Sequence, residues 1–370
     1  MTTNSLTLNL AGQVRPPESV VDQDVAWHYG DPLREQKNLM QGIGAVDISN
    51  RGVIKITGND RKSFLHSLTS QHIERLKAGE SCSTLLLTPN GHIEHELHVI
   101  NSENEIYIIV EKSSLIPVLE FFKKMVFMSQ VEITDQTSNL ATVFEPVREN
   151  HKDFPTWLTP INYAGEPISD AGQSAGGDPN RYAPTRPGIY KGREILVNRN
   201  NLEDYLQKKE TLAGTWALEA IRIAAGVARV VVDADHKTIP HEIGLIGNAV
   251  HLEKGCYRGQ ETVARVHNLG KPPRKLVLIH LDGSPNRLPK AKSPIIVDGV
   301  EVGVIGSSAQ HFELGPIALG IVKSKTEVLL NVAVDEMRVI DFKKSIQKSL
   351  KKMFDQFWSI KIFELSDGMS

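Results

Sequence analysis

Cys256 stands in "KGCYRGQE", residues 254–261, and is one of only two cysteines in a chain of 370 residues. A thiol acts as a nucleophile or metal ligand in its thiolate form, which neighbouring cations favour. If the segment is extended, Lys254, Cys256 and Arg258 point to one side, because side chains alternate along a strand. Two cations would then flank the sulfur, with Lys254 as the activating partner. Gly255 and Gly259 remove side chains around it and would admit a flat ligand or another backbone. Tyr257, Gln260 and Glu261 supply an aromatic face, an amide and an acceptor. The plain alternative is a small buried cysteine in a tight turn.

Other chemistries have less support. His241, His251, His267 and Asn268 are near in sequence, but they match neither a cysteine-protease signature nor a zinc-ligand spacing, so no metal site is expected. Cys82, the second cysteine, is remote and there is no CxxC, which argues against a disulfide framework, structural zinc or a self-ligated iron–sulfur cluster. Forty-two basic residues against 44 acidic ones give a net charge of -2, so no global field draws the chain to nucleic acid or anionic lipid. The first twenty residues lack the basic start and apolar run of a signal peptide, and no membrane-spanning run occurs. A cytoplasmic protein of two or three domains is expected, with its oligomeric state left open.

Several elements must position these residues. "GVIKITG" (52–58) reads as a strand, followed by Asn59 as N-cap of a helix with Phe64, Leu65 and Leu68 on one face. Strands at 83–88, 90–100 and 105–111 follow, then a helix capped by Ser114 and a strand at 131–135. This β-α-β-β-β-α-β order resembles a split βαβ, ferredoxin-like module. Residues 141–200 read as one strand and then loops. Thr215 should cap a helix ending at Gly226, with Ala217, Leu218, Ile221 and Ala224 packed. Beyond Gly270 the chain is β-rich, with a hairpin signal at Asp298-Gly299, and suggests a small barrel or sandwich. The tail, 343–370, places Ile346, Leu350, Met353, Phe357 and Ile360 at helical spacing beneath a lysine-rich face.

The motifs together resemble a known family. "KGCYRGQE" matches the K-G-C-Y-x-G-Q-E signature of the YgfZ folate-binding proteins, relatives of the glycine-cleavage T-protein, an aminomethyltransferase. "AIRIAAGVARVVVDADHKTIPHEIGL" (220–245) is similar to the T-protein segment that ends in P-x-E-x-G-L, and residues 44–93 carry further landmarks. The resemblance implies an α+β, three-domain fold around a central folate funnel. It assigns 1–50 and 140–265 to a discontinuous folate-binding core, 51–139 to a ferredoxin-like domain, 270–342 to a C-terminal β-barrel, and leaves 343–370 as an amphipathic tail helix.

By the same resemblance, the cofactor is tetrahydrofolate or a one-carbon-substituted folate. Glu242 matches the pterin-binding glutamate, a carboxylate suited to the paired donors of an aminopyrimidine edge. Tyr257, Gly259, Gln260, Glu261 and Arg265 are further candidate folate contacts, and Lys271 and Arg274 could also meet the glutamate tail. Arg222 is expected to brace its helix end. Cys256 is the functional thiol of a factor supporting iron–sulfur assembly or repair in client enzymes, extending in the family to those that thiolate tRNA. The alternative is a folate-dependent aminomethyltransferase. T-proteins carry an acidic pair in G-x-I-x-D-D-L, where this chain reads "GHIEHEL", with His95 and Glu96 at those places. Alternation allows only one of the two to enter the funnel. A third possibility is a scaffold acting through the tail helix.

Overall fold

The computed structural model describes residues 10–164, 188–281, 287–297 and 299–326, and the backbone of 332–334 and 337–338. The tail helix expected at 343–370 lies outside the described residues. Three sheets organise the chain. The first runs Leu212–Ala213, Ala45–Asp47, Leu140–Glu145, Arg193–Asn198, Thr156–Leu158, so it is assembled from both ends of the sequence that flank the second.

The second sheet has the order Ser81–Leu87, Ile93–Asn101, Glu105–Val110, Gly52–Thr57, Glu132–Asp135, and all its pairings are antiparallel. Helices Arg61–Leu68 and Leu115–Lys124 cover one face. Their apolar stripes, Phe64 and Leu65 on one and Val118, Leu119 and Phe122 on the other, close a core with Ile54, Ile56, Leu97 and Val99. The first helix begins behind Asp60 rather than Asn59, and the Asp60 carboxylate accepts from the Gln130 amide at 2.7 Å instead of capping. Ser114 stands before the second helix without capping it, because its hydroxyl meets His95 Nδ1 at 2.9 Å.

Helix Thr215–Ala224 is buried on two sides, which explains its alanines. Ala217, Leu218 and Ile221 pack toward the first sheet, while Ala220, Ile223 and Ala224 join the core shared with the third. The helix starts one residue earlier than expected. Gly214 precedes it, where a Cβ would stand 2.1 Å from the Trp27 carbonyl, and Thr215 donates its hydroxyl to Ala26 O instead.

The third sheet has the order Arg274–His280, Gly315–Lys323, Val300–His311, Pro294–Val297, Val332–Val334, Met337–Arg338. The Val297↔Val300 register makes the expected hairpin, with Gly299 at φ 78°. Its edge strands do not pair with each other, so among the described residues the sheet is open and not the closed barrel anticipated. No helix among the described residues is long and apolar enough to cross a membrane.

Candidate functional site

The first two sheets and the Thr215–Ala224 helix meet around a cavity of about 90 Å³. Strand Ile93–Asn101 sends Glu96 and His98 into it, two residues apart on one face, while His95 is not among its walls. The first sheet contributes Trp157 and Glu194, and Tyr190 and the helix residues Glu219 and Arg222 close the sides.

His98 Nδ1 lies 2.8 Å from Glu194 Oε2, and its ring stacks flat on Trp157 with centroids 3.7 Å apart and planes 2° from parallel. Burial alone would lower the imidazole pKa, but the Glu194 carboxylate outweighs it and raises it above the ordinary value. Glu96 makes no hydrogen bond or ion pair with any described residue. Burial, helped by the Glu194 charge, lifts its carboxyl above the usual range. Trp157 Nε1 is buried without a hydrogen-bond partner among the described residues. The cavity therefore holds a carboxyl and an indole N–H that the protein leaves unsatisfied, beside an ordered His–Glu pair.

The cationic wall is the opposite case. Arg229 grips Asp22 at 2.7 and 2.9 Å and Glu111 at 2.8 and 3.0 Å. Arg222 joins Glu219, Asp233 at 3.0 Å, Ser307 and the Val227 carbonyl, so it braces the helix end as expected. Burial works against the Asp22 carboxylate, yet Arg229 overrides it and holds its pKa well below the usual range. These pairs fasten the N-terminal arm, the second sheet and the third sheet to the helix.

None of the residues singled out around Cys256 lines this cavity. The chain turns through 254–259 rather than running extended, so the cation-flanked thiol is not formed. Lys254 is buried, and its ammonium donates to the carbonyls of His66 and Thr69 and lies 5.1 Å from the Tyr257 ring centroid. Burial lowers its pKa to about 8. Arg258 pairs with Glu94 at 3.0 Å. Cys256 is exposed, and Gln260 Nε2 approaches its sulfur at 3.8 Å.

The other motif residues build the turn. Tyr257 packs into the core shared with the third sheet, and its amide donates to Gln260 Oε1 at 3.1 Å. Gly259 has φ 83° and starts helix Gln260–Leu269, and a Cβ there would stand 2.6 Å from Thr88 O. Glu261 and Arg265 are exposed on that helix. Glu242 is buried elsewhere: Arg274 clasps both of its oxygens at 2.8 Å, and Oε2 accepts from Ile239 N at 3.1 Å. Its carboxylate is thereby engaged as a brace, and Arg274 is held by it and by Asp235.

Glu194, His98, Trp157 and Tyr190 were missed by motif reasoning. A signal existed for one of them: "IEHELHV" places Glu94, Glu96 and His98 on one face of a strand whose other face carries Leu97 and Val99.

Comparison with known proteins agrees with this architecture. Residues 19–144 match the GCVT N-terminal domain. The chain is 27% identical over 296 residues to a chloroplastic transferase candidate of Arabidopsis thaliana, covering 75% of this chain and 65% of that protein, just under two thirds of its length. It is 26% identical over 329 residues to an aminomethyltransferase of Synechococcus, covering 85% and 89%. The crystal structure of the glycine cleavage aminomethyltransferase T of Bartonella henselae shares the fold, with TM-score 0.69 at 17% identity over 89% of this chain and 92% of the other. The chain is thus similar to the GCVT N-terminal domain over residues 19–144, similar in sequence to aminomethyltransferases, and shares the T-protein fold.

Proposed function

We propose that this protein binds tetrahydrofolate, or a one-carbon-substituted folate, with the pterin directed into the central cavity. The observation that carries this reading is the uncommitted Glu96 carboxyl in a cavity with aromatic walls. A carboxylate can accept two neighbouring donors of an aminopyrimidine edge, and Glu96 is uncommitted, whereas Glu194 is engaged with His98 and Glu242 with Arg274. The volume of about 90 Å³ is below the roughly 300 Å³ at which small-molecule sites begin, so a folate enters only as the His98–Trp157 stack parts. That stack already defines a flat slot, with an imidazole where an aromatic ring would lie.

A bound folate would supply a nitrogen that accepts a one-carbon unit. The names of the aminomethyltransferase relatives favour that use, with Glu96 placed to hold or release a proton and Glu194 keeping His98 oriented. A second reading, a YgfZ-type factor serving iron–sulfur client enzymes, is favoured by the exposure of Cys256 within "KGCYRGQE". In that reading the thiol faces a client, and the folate site and the thiol are separate surfaces.

Quenching of tryptophan emission by tetrahydrofolate, and its loss in Trp157→Phe, tests the site. Wild type should saturate, and Glu96→Gln should bind about 10-fold or more weakly, the worth of a charged hydrogen bond. Absence of wild-type binding, or wild-type affinity in Glu96→Gln, would overturn it. Release of methylenetetrahydrofolate from an aminomethylated carrier protein then marks the transferase. Failure of Cys256→Ser to restore iron–sulfur enzyme activities in a deletion strain marks the second reading.

A further inference from the structure

A second group of titratable side chains lies where the loop leading to Cys256 packs on the turn after helix Arg61–Leu68. The His66 and His72 rings are 4.6 Å apart by centroid, and His72 and His251 are 5.5 Å apart. His251 N donates to Ser70 O at 2.9 Å, and Lys254 is anchored on the carbonyls of His66 and Thr69, so the loop and the turn are fixed together. Nδ1 of both His66 and His72 is buried with no hydrogen-bond partner among the described residues. Buried polar nitrogens are ordinarily hydrogen-bonded, so a group that offers acceptors to both would be favoured there.

The charge around them selects what that group would be. Lys254 and Arg75 face the cluster with positive charge. The acidic groups facing it are Glu253 and Glu74, whose Oε2 is 3.9 Å from His66 Nε2. No set of three or more His, Cys, Asp or Glu side chains among the described residues has the geometry to hold a metal ion.

We propose that His66, His72, His251 and Lys254 form an anion-binding site that takes a phosphate or carboxylate group at the root of the Cys256 turn. The free cluster favours neutral imidazoles. Burial is the main cause for all three, followed by Lys254 for His66, Arg75 for His72 and His72 for His251. An anion supplies the missing countercharge, takes hydrogen bonds from the two buried nitrogens, and draws protons onto the rings as it binds. Affinity should therefore rise as pH falls.

The test uses the full chain and inorganic phosphate, with glutarate as a carboxylate probe, followed by imidazole proton resonances and by calorimetry. Expected are selective shifts of the His66, His72 and His251 resonances, with binding roughly tenfold tighter near pH 6 than near pH 7.5. His72→Gln should weaken it about tenfold, while His236→Gln, an exposed histidine, leaves it unchanged. Saturation by phosphate alone identifies a phosphate site, and saturation by both probes a general anion site. Failure of both probes to move these resonances in the unaltered protein would overturn the proposal, as would wild-type affinity in a folded His72→Gln.

Discussion

The "KGCYRGQE" turn and the cavity strand Ile93–Asn101 are neighbours, tied by the Arg258–Glu94 pair, yet they use polar groups in opposite ways. In the turn nearly every group is satisfied internally. Lys254 holds two carbonyls, Gln260 holds the Tyr257 amide, and Gly259 lets the helix start approach Thr88. On the strand, Glu96 is left without a partner in the cavity. Engaged groups build a structure, and an unengaged half-buried group such as Glu96 is one the fold keeps at a cost.

The largest expected effect tests the architectural side of this contrast. Lys254→Met keeps the stem's apolar packing but strands the carbonyls of His66 and Thr69. Urea unfolding should show a loss of roughly 2–3 kcal/mol, the cost of leaving buried acceptors unmade. A loss below about 0.5 kcal/mol would mean the ammonium is free for chemistry.

Glu96→Gln tests the other side and should carry the opposite sign. The raised pKa means the folded state keeps a proton that the unfolded chain has already lost, so stability falls as pH rises from the ordinary glutamate value of about 4.3 through the folded one. Glutamine removes that fall, giving a gain of roughly 0.5–2 kcal/mol near neutral pH. His98 stabilisation is complete below about pH 6.5 and lost as pH rises through its raised pKa; Glu194 supplies the larger part of that raise, so Glu96→Gln should keep the upper slope in reduced form. Parallel pH profiles for the two proteins below pH 6 would remove the case for a strained carboxyl.

How legible these regions were in the sequence follows from the range of the interactions involved. The second sheet is built from neighbours in sequence, and its strand and helix periodicities, such as Val118, Leu119 and Phe122, suffice to read it. The helix caps failed because Ser114 and Thr215 each found a tertiary partner that local pattern cannot reveal, and because the first helix begins behind Asp60 rather than Asn59. The cavity failed for the same reason on a larger scale. Glu194 meets His98 across 96 positions, and Trp157 reaches the same point from a stretch that reads as loop. The turn misled in the other direction, since adjacency in sequence made Lys254 and Arg258 look like partners of Cys256 when tertiary contacts claim both.

Cys256→Ser should be the smallest stability effect and the most discriminating for function. The sulfur is exposed, and its contact with Gln260 Nε2 at 3.8 Å is long, so replacement by an isosteric hydroxyl should change unfolding free energy by no more than about 0.5 kcal/mol. The glutamine can keep its bond to the Tyr257 amide, and Gly259 still starts the helix. Within this turn Cys256 is thus the group without a structural duty, the same position that Glu96 holds in the cavity. If Cys256→Ser folds as stably as wild type and binds folate equally well, any loss of activity belongs to the thiol. A fall in stability beyond 1 kcal/mol would instead return Cys256 to the scaffold and leave Glu96 as the one unengaged group of the pair.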